Sequence, residues 1–153
     1  MQKKDVKIYI GGDHAGFFLK EKIKKYLVKK KYEVEDLGPF KYNSNDDYPD
    51  FVIPVAKKVA KEKNSRGIVI GGSGQGEAIA ANKIKGIIAV VYYGGNENII
   101  KLSRQHNNSN ILSLGARFVK EKEAKRAIDI WLKTKFDGGR HSRRLKKIEK
   151  IEK

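Results

Sequence analysis

The residues with chemistry to offer gather around one glycine-rich turn. Gly71-Gly72-Ser73-Gly74-Gln75-Gly76 follows the apolar run Gly67-Ile68-Val69-Ile70 and leads into Glu77 to Lys83, a stretch with the look of a helix start. Such a turn between a buried strand and a helix aims backbone N–H groups at an anion. Three familiar uses fail at a defining residue. A Walker A loop needs Lys and Ser or Thr after Gly76, where Glu77 and Ala78 stand. A dinucleotide fingerprint begun at Gly72 is broken by Glu77. A nucleophile elbow around Ser73 is broken by Gln75. What remains is a nest of donors with a carboxylate at its edge. That carboxylate would repel a bound phosphate, but it is well placed to remove a proton beside a carbonyl whose oxygen turns negative. Aldose–ketose isomerisation needs that pair, a base and donors for the enediolate oxygen. The plainer alternative for Glu77 is an acid in the first helical turn, stabilised by the helix dipole.

Other polar residues could serve the same site or none. Gly12-Asp13-His14 ends the first strand-like segment, and Asp13 could equally cap the helix that follows. Three of the seven arginines, Arg140, Arg143 and Arg144, fall within five residues. Arg suits planar, bidentate recognition of phosphate, although Arg140 and Arg144 could both be solvated. His14, His106 and His141 are the only histidines. Lone histidines are more often hydrogen-bonding or surface groups than catalysts. Three histidines and scattered carboxylates show no metal-ligand spacing, so no metal and no cofactor is expected.

The elements that must position these residues follow from periodicity. Val6, Ile8 and Ile10 alternate with Lys7 and Tyr9 and predict a strand stopping at Gly11-Gly12. Leu19, Ile23, Tyr26 and Leu27 share a helical face. Glu33 to Leu37 predicts a second strand, closed by Gly38-Pro39, and Phe51 to Val59 a helical stripe after the polar loop 41–49. Gly67 to Ile70 has the continuous apolar character of a strand buried on both faces. Ile87 to Tyr92 and Asn110 to Leu114 predict two more strands. Helices are expected near Glu97 to Gln105, around Ala124 to Leu132, and after Gly138-Gly139. Strands alternating with helices predict a single α/β domain over 1–153, a Rossmann-like three-layer fold with a five-stranded parallel sheet and a C-terminal helix. Ligands in such sheets bind at the carboxyl ends of strands, where Asp13, His14 and the glycine turn fall.

Composition sets the outer limits. At 153 residues, 39% hydrophobic and 34% charged, the chain fits one globular domain. Zero cysteines exclude disulfides and thiolate chemistry. The longest apolar run, Ile87 to Tyr93, is too short to span a bilayer, and Met1-Gln2-Lys3-Lys4 leads into a strand pattern without a signal-peptide core. A cytoplasmic protein with no membrane partner is expected. The net charge of +16 would suggest nucleic acid. However, 27 of the 34 basic residues are Lys scattered over helix surfaces, the pattern of solvated faces, so no nucleic-acid partner is expected.

Taken together, the segments Gly12-Asp13-His14-Ala15-Gly16-Phe17, Asp47-Tyr48-Pro49, Gly71 to Glu77, Ile79-Ala80-Ala81-Asn82-Lys83, Ser103-Arg104-Gln105-His106-Asn107, Leu114-Gly115-Ala116-Arg117 and Gly139-Arg140-His141 resemble the type B ribose-5-phosphate isomerases, a family shared with the galactose-6-phosphate isomerase subunits. Any one of these segments is weak; seven in order are specific, and they cover nearly the whole chain. The resemblance implies interconversion of D-ribose 5-phosphate and D-ribulose 5-phosphate by ring opening and enediolate proton transfer. It implies Glu77 as the base and His106 as the proton donor that opens the furanose ring. It places Asp13, His14, Asn107, Arg117, Arg140 and Arg144 on the sugar and its phosphate, and Gly72, Ser73, Gly74, Gln75 and Gly76 at the anion hole. Tyr48 and His141 join the expected pocket lining. A homodimer, or a tetramer, with shared active sites is implied. Many members carry a catalytic Cys where this chain has Gly71, whereas a second branch places a Glu after the loop, as Glu77 does here. The rival reading is a hexose 6-phosphate isomerase for allose or galactose 6-phosphate. The galactose enzymes divide the site between two different subunits, and one chain carries the whole set here, which favours the pentose.

Overall fold

The computed structural model describes residues 5–152. Five strands, β1 (Lys7–Gly12), β2 (Glu33–Asp36), β3 (Ser65–Gly71), β4 (Ala89–Tyr92) and β5 (Ile111–Gly115), form one all-parallel sheet in the order β2-β1-β3-β5-β4. Six helices accompany it: α1 (Phe17–Lys29), α2 (Pro49–Lys61), α3 (Gln75–Asn82), α4 (Asn98–Gln105), α5 (Glu121–Lys133) and α6 (Arg140–Glu149). Period-two alternation divides the strand side chains between two cores. Ile8, Ile10, Ile68, Ile70, Leu112 and Leu114 pack with Ile23 and Leu27 of α1, Ile100 of α4 and Trp131 of α5. Tyr9, Val69 and Ile111 point the other way, against Val52, Val55 and Val59 of α2 and Ala78 and Ala81 of α3. This is the Rossmann-like three-layer α/β fold that the alternating elements predict. Among the described residues, no helix is long and apolar enough to cross a membrane.

Strand β4 begins two residues later than the apolar run suggests. The Ile88 N–H donates to Asn110 Oδ1 at 2.8 Å and the Ala89 N–H to Asn82 Oδ1 at 2.8 Å, so side-chain amides take the place of ladder partners there. Two buried arginines fasten the end of α5. Arg66 Nη1 donates to the Trp131 carbonyl at 2.8 Å, and Arg104 Nε donates to the Thr134 carbonyl at 3.2 Å. The carbonyl end of the helix dipole is where such cations belong. Lys20, fully buried on α1, donates to Asp36 Oδ2 at 2.6 Å, and Lys24 donates to the same oxygen at 2.9 Å. Burial alone would raise the Asp36 carboxyl, but the two ammonium groups and the Gly38 N–H outweigh it and hold the carboxyl below its ordinary range.

The strand order reverses between β1 and β3, which are direct neighbours with Gly12 opposite Ile70. On the far side of β3, Gly71 lies opposite Gly115. Three strand-end loops therefore meet at one place, the switch point where open α/β sheets bind ligands.

Candidate active site

The glycine turn is held open by its neighbours. Gly74 is the N-cap of α3 with φ 82°, a left-handed conformation that side-chain-bearing residues rarely adopt. Its carbonyl accepts from the buried Ser113 Oγ of β5 at 2.7 Å. The Ala116 and Arg117 N–H groups donate to the Gly71 and Gly72 carbonyls at 2.7 and 3.0 Å, tying the loop after β5 to the turn. The Ser73 hydroxyl accepts from the Gln75 N–H at 3.2 Å. The Arg117 guanidinium lies over Gly72 and the Tyr48 ring over Gly76, each in the space that the glycine leaves.

Glu77 stands in the first turn of α3 and is 3% exposed, with no cationic partner among the described ion pairs. Its carboxylate fills the space beside Gly71, and a Cβ at position 71 would overlap it. Burial raises the Glu77 carboxyl above its ordinary value, and the negative Asp13 adds to the effect. The backbone amides of Glu77 and Gly74 act the other way without cancelling it. An acid that merely decorated a helix start would face solvent. This one is a desolvated carboxylate at the rim of a donor nest, a stronger base than glutamate in water.

Asp13, 7% exposed, accepts from the Gly16 N–H at 3.2 Å through Oδ1 while its own N–H donates to the Ile70 carbonyl at 3.3 Å. That bond closes the turn before α1 and is no helix cap, since the N-cap of α1 is Gly16 and has no side-chain capping bond; Asp13 also lies close enough to Glu77 and His14 to act on both electrostatically. His14 points its Nδ1 at Asp46 Oδ1, 2.7 Å away, and its backbone N–H donates to the same oxygen at 2.9 Å. Sequence reading passed over Asp46 because it lies 32 residues from His14. The available signal was a second acidic residue directly before the Asp47-Tyr48-Pro49 segment.

The remaining expected residues form a separate group. His106 follows α4, and Asn107 follows it. Arg140, His141 and Arg144 lie on α6, and the Asp137 N–H donates to the Gln105 carbonyl at 3.0 Å, joining the two segments. The His106 and His141 rings stack with centroids 4.2 Å apart and planes 10° from parallel. Burial lowers the His141 pKa, and His106, Arg140 and Arg144 lower it further against the opposing pull of Asp137. The group sits at the amino end of the sheet: α4 runs back against the strands, and the Asn110 N–H just before β5 meets the Ile88 carbonyl just before β4. Asp13, His14, Tyr48, Glu77, Arg117 and the glycine turn lie at the carboxyl end. Five-residue β5 alone sets roughly 13 Å between the two ends, at about 3.3 Å per residue.

The fold also gathers donor atoms that linear spacing hid. One ligand-type atom from each of Asp13, His14 and Asp46 lies within 4.8 Å of the others, and the same holds for His106, Asp137 and His141.

A family model described as Ribose/Galactose Isomerase matches residues 8–148. The chain is 46% identical over 147 residues to a protein named probable ribose-5-phosphate isomerase B from Mycoplasma genitalium, covering 95% of each. It is 43% identical over 146 residues to ribose-5-phosphate isomerase B of Escherichia coli, covering 95% of this chain and 96% of that one. The crystal structure of the Mycoplasma genitalium enzyme with bound ribulose-5-phosphate superposes with a TM-score of 0.93 at 44% identity, covering 97% of each chain. The Clostridium thermocellum enzyme superposes at 0.90 with 48% identity, covering 95% of this chain and 97% of that one. The family model over residues 8–148 and the identities of 43–46% over 95% of the chain place it in the ribose/galactose isomerase family.

Proposed function

We propose that the chain interconverts D-ribose 5-phosphate and D-ribulose 5-phosphate. The observation that carries this reading is Glu77, a buried carboxylate with raised basicity at the edge of the glycine turn 71–76. His106 donates a proton to the furanose ring oxygen as the bond from C1 to that oxygen breaks, and the anomeric hydroxyl releases its own proton to solvent to form the aldehyde. Glu77 then takes the proton from C2, and the electron pair moves to the carbonyl oxygen. The enediolate oxygen O1 faces the glycine turn; Glu77 returns the proton to C1 while the O2 hydroxyl proton passes to O1, which leaves the ketose. His14, Arg117, Arg140 and Arg144 hold the phosphate, with Asp13, Tyr48, Asn107 and His141 around the sugar.

This assignment needs two chains. A general acid or base acts from within about 3.2 Å of its proton, and one small sugar cannot touch both ends of a single sheet. We therefore assign a homodimer in which the amino-end group of one copy faces the carboxyl-end group of the other. The apolar cleft of about 430 Å³ between α6 and the β4 edge, lined by Ile87, Ile88, Leu145 and Ile148, lies beside Asn107 and supports a contact surface there. The bacterial relatives and a phosphorylated substrate support a cytoplasmic setting.

An isomerase assay on ribose 5-phosphate, with allose 6-phosphate alongside, tests the reading. Turnover of the pentose should exceed that of the hexose and persist in EDTA, because no step above uses an ion. Preference for the hexose would move the assignment to the rival substrate.

Arg140→Ala and Arg144→Ala should raise KM with little change in kcat. Residues four apart share a helix face, where two like charges repel unless an anion bridges them. Loss of a charge-assisted hydrogen bond costs about 1.5–3 kcal/mol, roughly ten- to a hundredfold in KM. Unchanged KM in both variants would remove the phosphate assignment.

A further inference from the structure

We propose that Asp46 is a positioning residue for this reaction: it fixes His14 with Nδ1 as the internal donor, so that Nε2 is the ring atom presented to the sugar phosphate. The proposal rests on the reading of His14 as a substrate contact. Its geometric basis is a clasp. Asp46 Oδ1 receives both the backbone N–H of His14 at 2.9 Å and the ring Nδ1 at 2.7 Å. Two bonds from one residue to one oxygen fix the backbone and the side-chain rotamer together. The Asp46 side chain is only 6% exposed, and its other oxygen, Oδ2, is buried without a hydrogen-bond partner. A buried carboxylate with half its acceptor capacity idle is costly unless a cation sits against it. Among the described residues, the only basic side chain paired with it within 4.0 Å is the His14 ring.

The surroundings favour a cationic ring. His14 is faced by Asp13 from the end of β1, by Asp46 and the edge of the Tyr42 ring from the 41–48 loop, and by Arg117 from the loop after β5. The hydrogen bond to Asp46 does most to raise the His14 pKa; partial burial and Arg117 oppose it, and Asp13 adds to it. An imidazolium with Nδ1 occupied offers one N–H, from Nε2, to a phosphate oxygen. Without Asp46 the ring loses its proton at lower pH and is free to turn.

The sign of the pH dependence follows. At pH well below the His14 pKa of both proteins the ring is charged with or without Asp46, and KM should differ little. As pH rises, the Asp46→Asn ring deprotonates first, so its KM defect should grow, to about tenfold where only the wild-type ring is still charged. Asn keeps an acceptor oxygen for the backbone N–H, so a residue that merely tethered the loop would leave this profile unmoved. Two measurements decide the matter. NMR titration of the His14 ring, which needs no substrate, should show its pKa fall in Asp46→Asn, because the hydrogen bond to the carboxylate does most to raise it; an unchanged value would overturn the proposal. Kinetics across pH 6–8 should show the growing KM defect with kcat nearly constant, and no further loss on adding Asp46→Asn to His14→Gln. A pH-independent defect, or additive losses, would also overturn it. If the wild-type protein failed to isomerise ribose 5-phosphate while the NMR shift was present, the failure would lie with the substrate assignment and not with the clasp.

Discussion

Glu77→Gln should lower kcat at least about a hundredfold while leaving KM within a few-fold, since a general base typically contributes 10²–10⁴. The substitution keeps the shape that fills the space beside Gly71 and removes only the basic oxygen. The raised carboxyl gives a second signature. Its folded pKa lies above the ordinary glutamate value, so activity should fall on the acid side at a pH higher than an exposed glutamate would give, as protonation removes the base. In the variant that acid limb should vanish along with most of the rate. Exchange of the substrate C2 proton with solvent deuterium should disappear in parallel. Near-normal turnover and exchange would return Glu77 to a helix-start acid, with Asp13, beside it in the pocket, the next group to test as base.

Mixing two inactive proteins should restore activity. Glu77 and His106 lie at opposite ends of the sheet, so in a dimer with composite sites each site takes Glu77 from one copy and His106 from the other. A heterodimer of Glu77→Gln with His106→Asn then holds one site with both defects and one with neither. Random exchange of equal amounts makes half the dimers mixed, each with one intact site, so activity should recover to about a quarter of wild type. Starting from roughly a hundredth or less, that is a rise of about twenty-five-fold or more. The measurement is turnover of the mixture after dissociation and reassociation, against each variant treated alone. No recovery, with exchange verified by mass, would place both residues of a working site in the same copy.

The sheet was legible from the chain because its strands carry their own punctuation. Ile8 and Ile10 stop at Gly11-Gly12, and Ile68 to Ile70 stop at Gly71-Gly72. The late start of β4 was not legible, since Asn82 and Asn110 replace ladder partners from outside the strand. The glycine turn and Glu77 could be read because their chemistry is contiguous. The clasp on His14 could not, because a hydrogen bond across 32 residues leaves no local trace. The division of the site into two groups was implicit in the order of elements: a residue following a helix in an alternating α/β chain lands at the amino end of the strands, as His106 does. Motif by motif the seven segments do not reveal that separation, because they name residues and not the end of the sheet each belongs to.

The fit of Glu77 into the space beside Gly71 carries an evolutionary consequence. The resemblance implies family members with a cysteine where this chain has Gly71, and here a side chain at 71 and the Glu77 carboxylate would claim the same volume. Gly71→Cys alone should push the carboxylate out of its seat, and on the proposed mechanism removing Glu77 alone should take away the base. On that mechanism each single step should lower activity, which would make the two positions epistatic. A lineage with the carboxylate would thus be held there by an ordinary steric overlap, and a chain with no cysteine should be indifferent to thiol reagents.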